Sequence, residues 1–359
     1  MKKLRLKTTL PPRHDIPSFW RDDSKGIISL HLGENPFPPS PRVRVAIAKA
    51  SQNVNRYPDT NALRLREKLA QYAGHGLAME NIILGNGSDE LIDLACTAFG
   101  RQGKTIAAFE PSFFVYRFAA QRHGFKTIAF RRDGDFQLPP FSSLAPKEAV
   151  AKIALSFIAN PNNPTGTLTN RERIISYIQS LPGVVVIDEC YFEFCGETVI
   201  DLVKDYPNLI VFRSLSKSFG LSGLRLGYAA ASRPLIEFME RYAMTFPVNV
   251  LAQAAGLAVL DDLAFYQERI ETLIEWREQM QQELSALGLK VIPSQANFLL
   301  TLWEKTQINP AKALAQRGIL VSDQTANVNA GVPVLRIAIG TEEENQRLIK
   351  AIKEMMNDE

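Results

Sequence analysis

The residues with the most evident chemical potential lie in the stretch 213–228, RSLSKSFGLSGLRLGY. Lys217 stands between Ser216 and Ser218 on a turn rich in Ser and Gly, and Arg225 follows before the turn ends. Short apolar runs on either side, 209–212 and 226–231, read as buried strands. A lysine's pKa moves readily on desolvation, and its neutral amine is a nucleophile toward an aldehyde. Hydroxyls with an arginine beside them suit a phosphate. The stretch fits a lysine that holds an aldehyde cofactor bearing a phosphate. Taken alone, it fits a solvated loop with a surface lysine equally well.

Other strand ends supply more parts. After the run 82–84 come Gly85-Asn86-Gly87-Ser88 and then a helix starting near Asp89, an arrangement that favours anions. It is not a dinucleotide fingerprint, because Glu90 stands where the third glycine would be, and no P-loop lysine follows. After the strand 105–109 come Phe113, Phe114 and Tyr116, any of which could stack on a flat ring or simply pack in the core. After 153–159 the run Asn160-Pro161-Asn162-Asn163-Pro164-Thr165-Gly166 reads as a shaped loop that aims an amide into a crevice. After the β-branched run 184–187 come Asp188 and Tyr191. A carboxylate just past a buried strand needs a partner, either a protonated ring nitrogen or an arginine. Together these five ends match what pyridoxal 5′-phosphate requires: an amine, a phosphate cradle, a stacking face, a carboxylate and donors to the ring oxygen.

The elements that position them alternate between strand and helix from residue 81 to about 231, which predicts right-handed crossovers and a doubly wound, mostly parallel sheet. Ligands of such a sheet bind at the carboxyl ends of its strands. Beyond Arg233 come long helical stretches, including 263–287, then short strands near Val291, Phe298, Leu320 and Leu335, and a last helix from Thr341, as in a smaller α+β domain. The expected division is an N-terminal arm over 1–35, a large domain over 36–240 and a small domain over 241–359.

Composition excludes several classes. A net charge of +3 over 359 residues argues against nucleic acid or an anionic membrane as partner. No apolar run approaches the ~20 residues of a membrane span. The start, MKKLRLKTTLPPRHD, lacks the apolar segment of a secretory signal. Cys96, Cys190 and Cys195 show no metal-like spacing, so reduced thiols in a cytoplasm and no bound metal are expected.

In order along the chain, GENPFPPSP, RYPD, GNGSDELI, PNNPTG, VIDECYFEF, RSLSKSFGLSGLRLGY, ANFLL and VLRIAIGT resemble the fold-type-I pyridoxal-phosphate aminotransferases, most closely the histidinol-phosphate aminotransferases. The resemblance implies an α/β fold of that type and transfer of an amino group from a small-molecule donor to a 2-oxo acid. It implies that Lys217 bonds the cofactor aldehyde and shuttles a proton, and that Asp188 pairs with the pyridine nitrogen. Tyr191 and Asn163 would serve the ring oxygen, and Phe113 would stack on the ring. Ser88, Asp89, Ser214, Ser216 and Arg225 would hold the phosphate. Tyr57 would reach the phosphate of a neighbouring subunit, making a homodimer. Arg336 would grip the substrate's acidic group, and Asn35 would border the substrate.

Two departures bear on substrate. The arm reads Ile16-Pro17-Ser18-Phe19-Trp20, without the family's tyrosine, and Val321-Ser322-Asp323 replaces Val-Arg-Asp. Loss of that arginine removes a charge-assisted contact of roughly 1.5–3 kcal/mol. Histidinol phosphate with 2-oxoglutarate is the leading substrate pair. An aromatic amino acid is second, and decarboxylation of threonine phosphate on the same scaffold third. A cofactor-sensing regulator is disfavoured, because about 30 residues of arm leave no room for a DNA-binding domain ahead of the scaffold.

Overall fold

The computed structural model describes residues 26–100, 104–144, 146–306 and 308–357, so the expected arm motif around Phe19 lies outside the described residues. Twelve strands occur among those residues: β1 Ile28–Leu30, β2 Ile82–Asn86, β3 Thr105–Glu110, β4 Lys126–Arg131, β5 Ile153–Ala159, β6 Val184–Asp188, β7 Leu209–Ser214, β8 Leu226–Ala231, β9 Lys290–Ile292, β10 Phe298–Leu302, β11 Ile319–Asp323 and β12 Val334–Ala338.

Seven of them form one sheet in the order β2-β8-β7-β6-β5-β3-β4. Only β8 runs against its neighbours, β2 and β7; the remaining pairs are parallel. The carboxyl ends of β2, β3, β5, β6 and β7 therefore share one edge, and β8 starts at that edge. Alternation along the central strands explains their burial on both faces. Val185, Ile187, Leu209 and Val211 enter one core, while Val186, Ile210 and Phe212 enter the other. The run of β-branched residues in β6 suits such a doubly covered strand.

The helix after β3 spans Val115–Arg122, which leaves Phe113 in the turn at the sheet edge. The next sheet has the order β1-β11-β12-β10-β9, with β1 parallel to β11 and the other pairs antiparallel. It packs in a core of its own with the helices Leu263–Ala286 and Glu342–Asn357.

Two details differ from the expected division. The end of the expected arm, residues 28–30, is a strand of the second sheet, because Ile28 and Leu30 are buried in its core. The helix Val250–Leu260 follows the expected boundary at 240, yet its small residues Ala252, Ala255 and Ala258 pack in the core of the large sheet. Tyr191 and Phe194, just past β6, lie in the second core and so tie the two together.

One buried ion pair joins β6 to β7. The Glu189 carboxylate accepts from Arg213 Nε at 3.1 Å and Nη2 at 3.0 Å, from Thr198 Oγ1 at 2.7 Å and from the Val199 amide at 2.7 Å. Both side chains are 2% exposed, and the guanidinium lies 3.4 Å from the centre of the Phe192 ring. Both carboxylate oxygens and the guanidinium Nε and Nη2 have partners, which is what makes such a pair tolerable. Removing one member strands the other, so Arg213→Ala should lose about 3–5 kcal/mol of stability in urea unfolding. A loss below about 1 kcal/mol would show that the pair is not dry.

Candidate active site

Five turns converge on the shared strand edge. After β2, Gly87 has φ +79°, and a Cβ there would meet Arg225 Nη2 at 2.5 Å. Gly227 in β8 is as constrained: a Cβ would lie 2.9 Å from the Ser88 amide nitrogen. These glycines let the Arg225 guanidinium and the first turn of helix Ser88–Phe99 close on one spot, where free N–H groups and the helix dipole favour an anion. Arg225 itself has φ +55°, donates to Asp89 Oδ2 at 3.1 Å and donates to the Ser222 carbonyl at 3.2 Å. Ser214, opposite Gly227 in the β7–β8 ladder, and Ser216 are both buried, and Ser214 Oγ accepts from the Ser216 amide at 3.2 Å.

Asp188 ends β6 and is 5% exposed. Its Oδ2 accepts from Tyr116 Oη at 2.5 Å and its Oδ1 from the Cys190 amide at 3.0 Å. Burial pushes its carboxyl above the usual carboxylate range, and these hydrogen bonds pull it partly back. Among the described residues no cation pairs with it. Arg213, on the neighbouring strand β7, is taken by Glu189 instead. Tyr191 is buried, with its ring edge-on to Phe298 at 5.2 Å, and burial raises its phenol.

Lys217 is half-buried, and its Nζ donates to the Leu32 carbonyl at 3.3 Å. Burial first, and the Arg336 guanidinium second, push its amine down to about 8. Arg336 comes from the second sheet. It donates through Nη1 to Asn163 Oδ1 at 2.7 Å and through Nη2 to the His31 carbonyl at 2.6 Å. Among the described residues its buried Nε has no partner. Asn35 holds the lysine loop from below, donating to the carbonyls of Lys217 at 2.9 Å and Ser218 at 3.0 Å. The sequence places it at the substrate border; its amide is spent on the loop. Phe113 is half-buried, with its ring edge-on to Phe114 at 5.4 Å and to Tyr116 at 5.7 Å. Tyr57 stands apart, 82% exposed and stacked on Phe246 at 4.5 Å.

These residues fit pyridoxal 5′-phosphate. A depressed amine, a buried carboxylate without a counter-cation and an orphaned guanidinium nitrogen are each costly alone. An aldehyde, a protonated ring nitrogen and an acidic substrate group would satisfy them in turn. Among the described residues there is no cluster of three or more metal-ligating side chains.

Sequence reasoning missed four residues of this neighbourhood. Tyr116 reads as one more aromatic after β3, and only the fold shows its phenol on Asp188. Glu189 and Arg213 could have been paired, because the register sets Asp188 against Phe212 and so brings the next residues together. Arg132 is buried and donates to the carbonyls of Phe109, Phe136 and Ala159, clipping β3 to β5 at the site edge; a lone arginine after β4 gives no such signal.

Known proteins resemble this chain over most of its length. The profile of the family "Aminotransferase class I and II" matches residues 25–352. Histidinol-phosphate aminotransferase of Thermoanaerobacter pseudethanolicus is 39% identical over 313 residues, covering 86% of this chain and 87% of that protein. The crystal structure of histidinol-phosphate aminotransferase from Clostridium acetobutylicum superposes with a TM-score of 0.84 at 24% identity, over 93% of this chain and 100% of the other. That of L-threonine-O-3-phosphate decarboxylase from Porphyromonas gingivalis gives 0.80 at 22% identity, over 92% and 100%. The last two likenesses are of fold.

The depressed amine is directly measurable. In cofactor-free protein, reductive methylation of Lys217 by formaldehyde, followed by mass spectrometry, should rise with pH through about 8. In Arg336→Ala the midpoint should move up, since a neighbouring cation disfavours the charged amine. A midpoint near that of an ordinary lysine, about 10.4, in the unaltered protein would contradict the burial described above.

Proposed function

We propose that this chain, which belongs to the class I and II aminotransferase family, moves an amino group between histidinol phosphate and 2-oxoglutarate. Its cofactor is pyridoxal 5′-phosphate, and its substrates are a small-molecule amino donor and a 2-oxo acid. The observation that carries the substrate reading is Arg336, whose orphaned Nε lies in a guanidinium close enough to Lys217 to depress its amine. An acidic group gripped there keeps the rest of the donor within reach of the amine. Histidinol phosphate is the donor named by the relative at 39% identity.

When bound, pyridoxal phosphate supplies an aldehyde for the amine and a ring that takes up electron density from the substrate's α-carbon. The chain's own residues do the rest. The Lys217 Nζ would hold the aldehyde and, when free of it, would carry a proton to and from the substrate's α-carbon. Its lowered pKa keeps it available as a base near neutral pH. Asp188 stabilises positive charge at the ring nitrogen. Tyr191 and Asn163 orient the ring through its oxygen, and Phe113 covers one face. Ser88 and Asp89, through backbone N–H groups, hold the phosphate with Ser214, Ser216 and Arg225. Arg336 and Asn163 present a paired surface to the substrate's acid, with Asn35 keeping the lysine loop in place.

The exposed Tyr57–Phe246 pair is assigned to a homodimer in which Tyr57 completes the phosphate site of the neighbouring subunit. Among the described residues no helix is long and apolar enough to cross a membrane. The three free cysteines suit work in the reducing cytoplasm.

One observation favours a second reading, an aromatic amino acid as donor. Ser322 lies directly opposite Arg336 in the β11–β12 ladder, and its Oγ accepts from Gln324 Nε2 at 2.8 Å. That strand position therefore offers a neutral hydroxyl beside Arg336 where a phosphate dianion would gain from a second cation.

A half-reaction screen separates the two. Holoenzyme mixed singly with histidinol phosphate, Phe, Tyr and threonine phosphate should convert its cofactor to the pyridoxamine form fastest with histidinol phosphate. Faster conversion by Phe or Tyr would select the second reading, and CO₂ release from threonine phosphate would overturn both. Arg336→Ala should raise KM for the acidic donor roughly ten- to a hundred-fold, as expected for loss of a charged hydrogen bond. An unchanged KM would remove Arg336 from substrate binding.

A further inference from the structure

The carboxylate assigned to the ring nitrogen is not set by β6 alone. Its Oδ2 accepts from Tyr116 Oη at 2.5 Å, and Tyr116 is 1% exposed, on the helix that follows β3. The Tyr116 ring lies flat on Phe157 of β5, with centroids 4.9 Å apart and planes within 1°. Phe113, the residue assigned to the cofactor's face, meets the same ring edge-on at 5.7 Å. The phenol is thus fixed by a strand on one side and by the cofactor pocket on the other. Its oxygen has one hydrogen-bond partner, the carboxylate.

A phenol so placed donates its proton. Burial and the adjacent carboxylate hold the Tyr116 hydroxyl well above its ordinary pKa, so it stays protonated throughout the working range. A donor to a carboxylate favours the charged form, and a charge-assisted bond in a dry site is stronger than a neutral one. Oδ1 is meanwhile engaged by the Cys190 amide at 3.0 Å. The ionisable groups that bear on Asp188 are Tyr116 and Cys190 at contact, Tyr191 just past β6, and Asp89 from the helix after β2. Of these, Tyr116 is the one that offers the carboxylate a side-chain O–H donor.

We propose that Tyr116 is a positioning residue for transamination: its buried phenol keeps Asp188 anionic and fixes the direction in which the carboxylate meets the cofactor's ring nitrogen. This rests on the reading that Asp188 pairs with that nitrogen. The role differs from stacking, which Tyr116 performs on Phe157 and which Phe in its place would preserve.

The test compares Tyr116→Phe with Asp188→Asn. In cofactor-free protein carrying ¹³C-carboxyl aspartate, the Asp188 resonance is the one missing from Asp188→Asn. In Tyr116→Phe its titration midpoint should move to higher pH. Loaded with cofactor, Tyr116→Phe should lose about ten-fold in kcat with little change in KM, and the loss should deepen as pH falls. Replacing Tyr116 with p-aminophenylalanine, which restores a donor on the same ring, should recover both readouts. An unshifted Asp188 titration with unaltered kcat in Tyr116→Phe would overturn the proposal. So would a lost signal that p-aminophenylalanine fails to restore, including the case in which Tyr116→Phe does not fold. If Asp188→Asn itself keeps full activity, it is the ring-nitrogen reading that fails.

Discussion

The structure depends on holding charge out of water at one edge of a sheet. Among the described residues, buried Asp188 has no cation beside it and the buried Nε of half-buried Arg336 has no partner, while the Lys217 amine is pushed down by both burial and Arg336. Each is unfavourable in the ligand-free chain. A few ångströms away the same fold shows the alternative: Glu189 and Arg213 are as deeply buried, but each satisfies the other. The contrast separates charges that serve the fold from charges kept for a ligand. A cofactor with an aldehyde, a basic ring nitrogen and a phosphate complements the second group.

Strand order makes that edge possible. Because β8 alone runs antiparallel between β2 and β7, its start brings Arg225 to the place where β2 and β7 end. Glycines at 87 and 227 are then required, since side chains there would collide with the Arg225 guanidinium and the Ser88 amide. The second sheet contributes Arg336 from β12, and the segment after β1 contributes the Leu32 carbonyl and Asn35. The amine at Lys217 is therefore framed by both cores, and the contact of Tyr191 with Phe298 couples them.

Much of this was readable in the chain because strand ends announce themselves. An apolar run followed by a polar turn told where Asp188, Asn163 and Lys217 would sit, and the parallel alternation told that they would share an edge. What stayed hidden depends on contacts between distant segments. The apolar piece at Ser29 reads as a strand, but nothing local assigns it to the second sheet, because its partner lies almost 300 residues on, at 319–321. The helix Val250–Leu260 is apolar all round, so its pattern does not say which core receives it. Tyr116 has the spacing of a core aromatic, and its phenol acquires meaning only when β3 and β6 place it on Asp188. The chain gives no sign that the Asn35 amide donates to the carbonyls of the lysine loop, more than 180 residues away.

The most direct measurement is chemical trapping. Purified chain incubated with pyridoxal 5′-phosphate, reduced with borohydride and digested should carry the pyridoxyl group on the peptide containing Lys217, in stoichiometric amount. The same treatment of Lys217→Ala should leave that peptide unlabelled and the protein without visible absorbance. Label spread over surface lysines, or visible absorbance that survives the substitution, would contradict the assignment on which the rest is built.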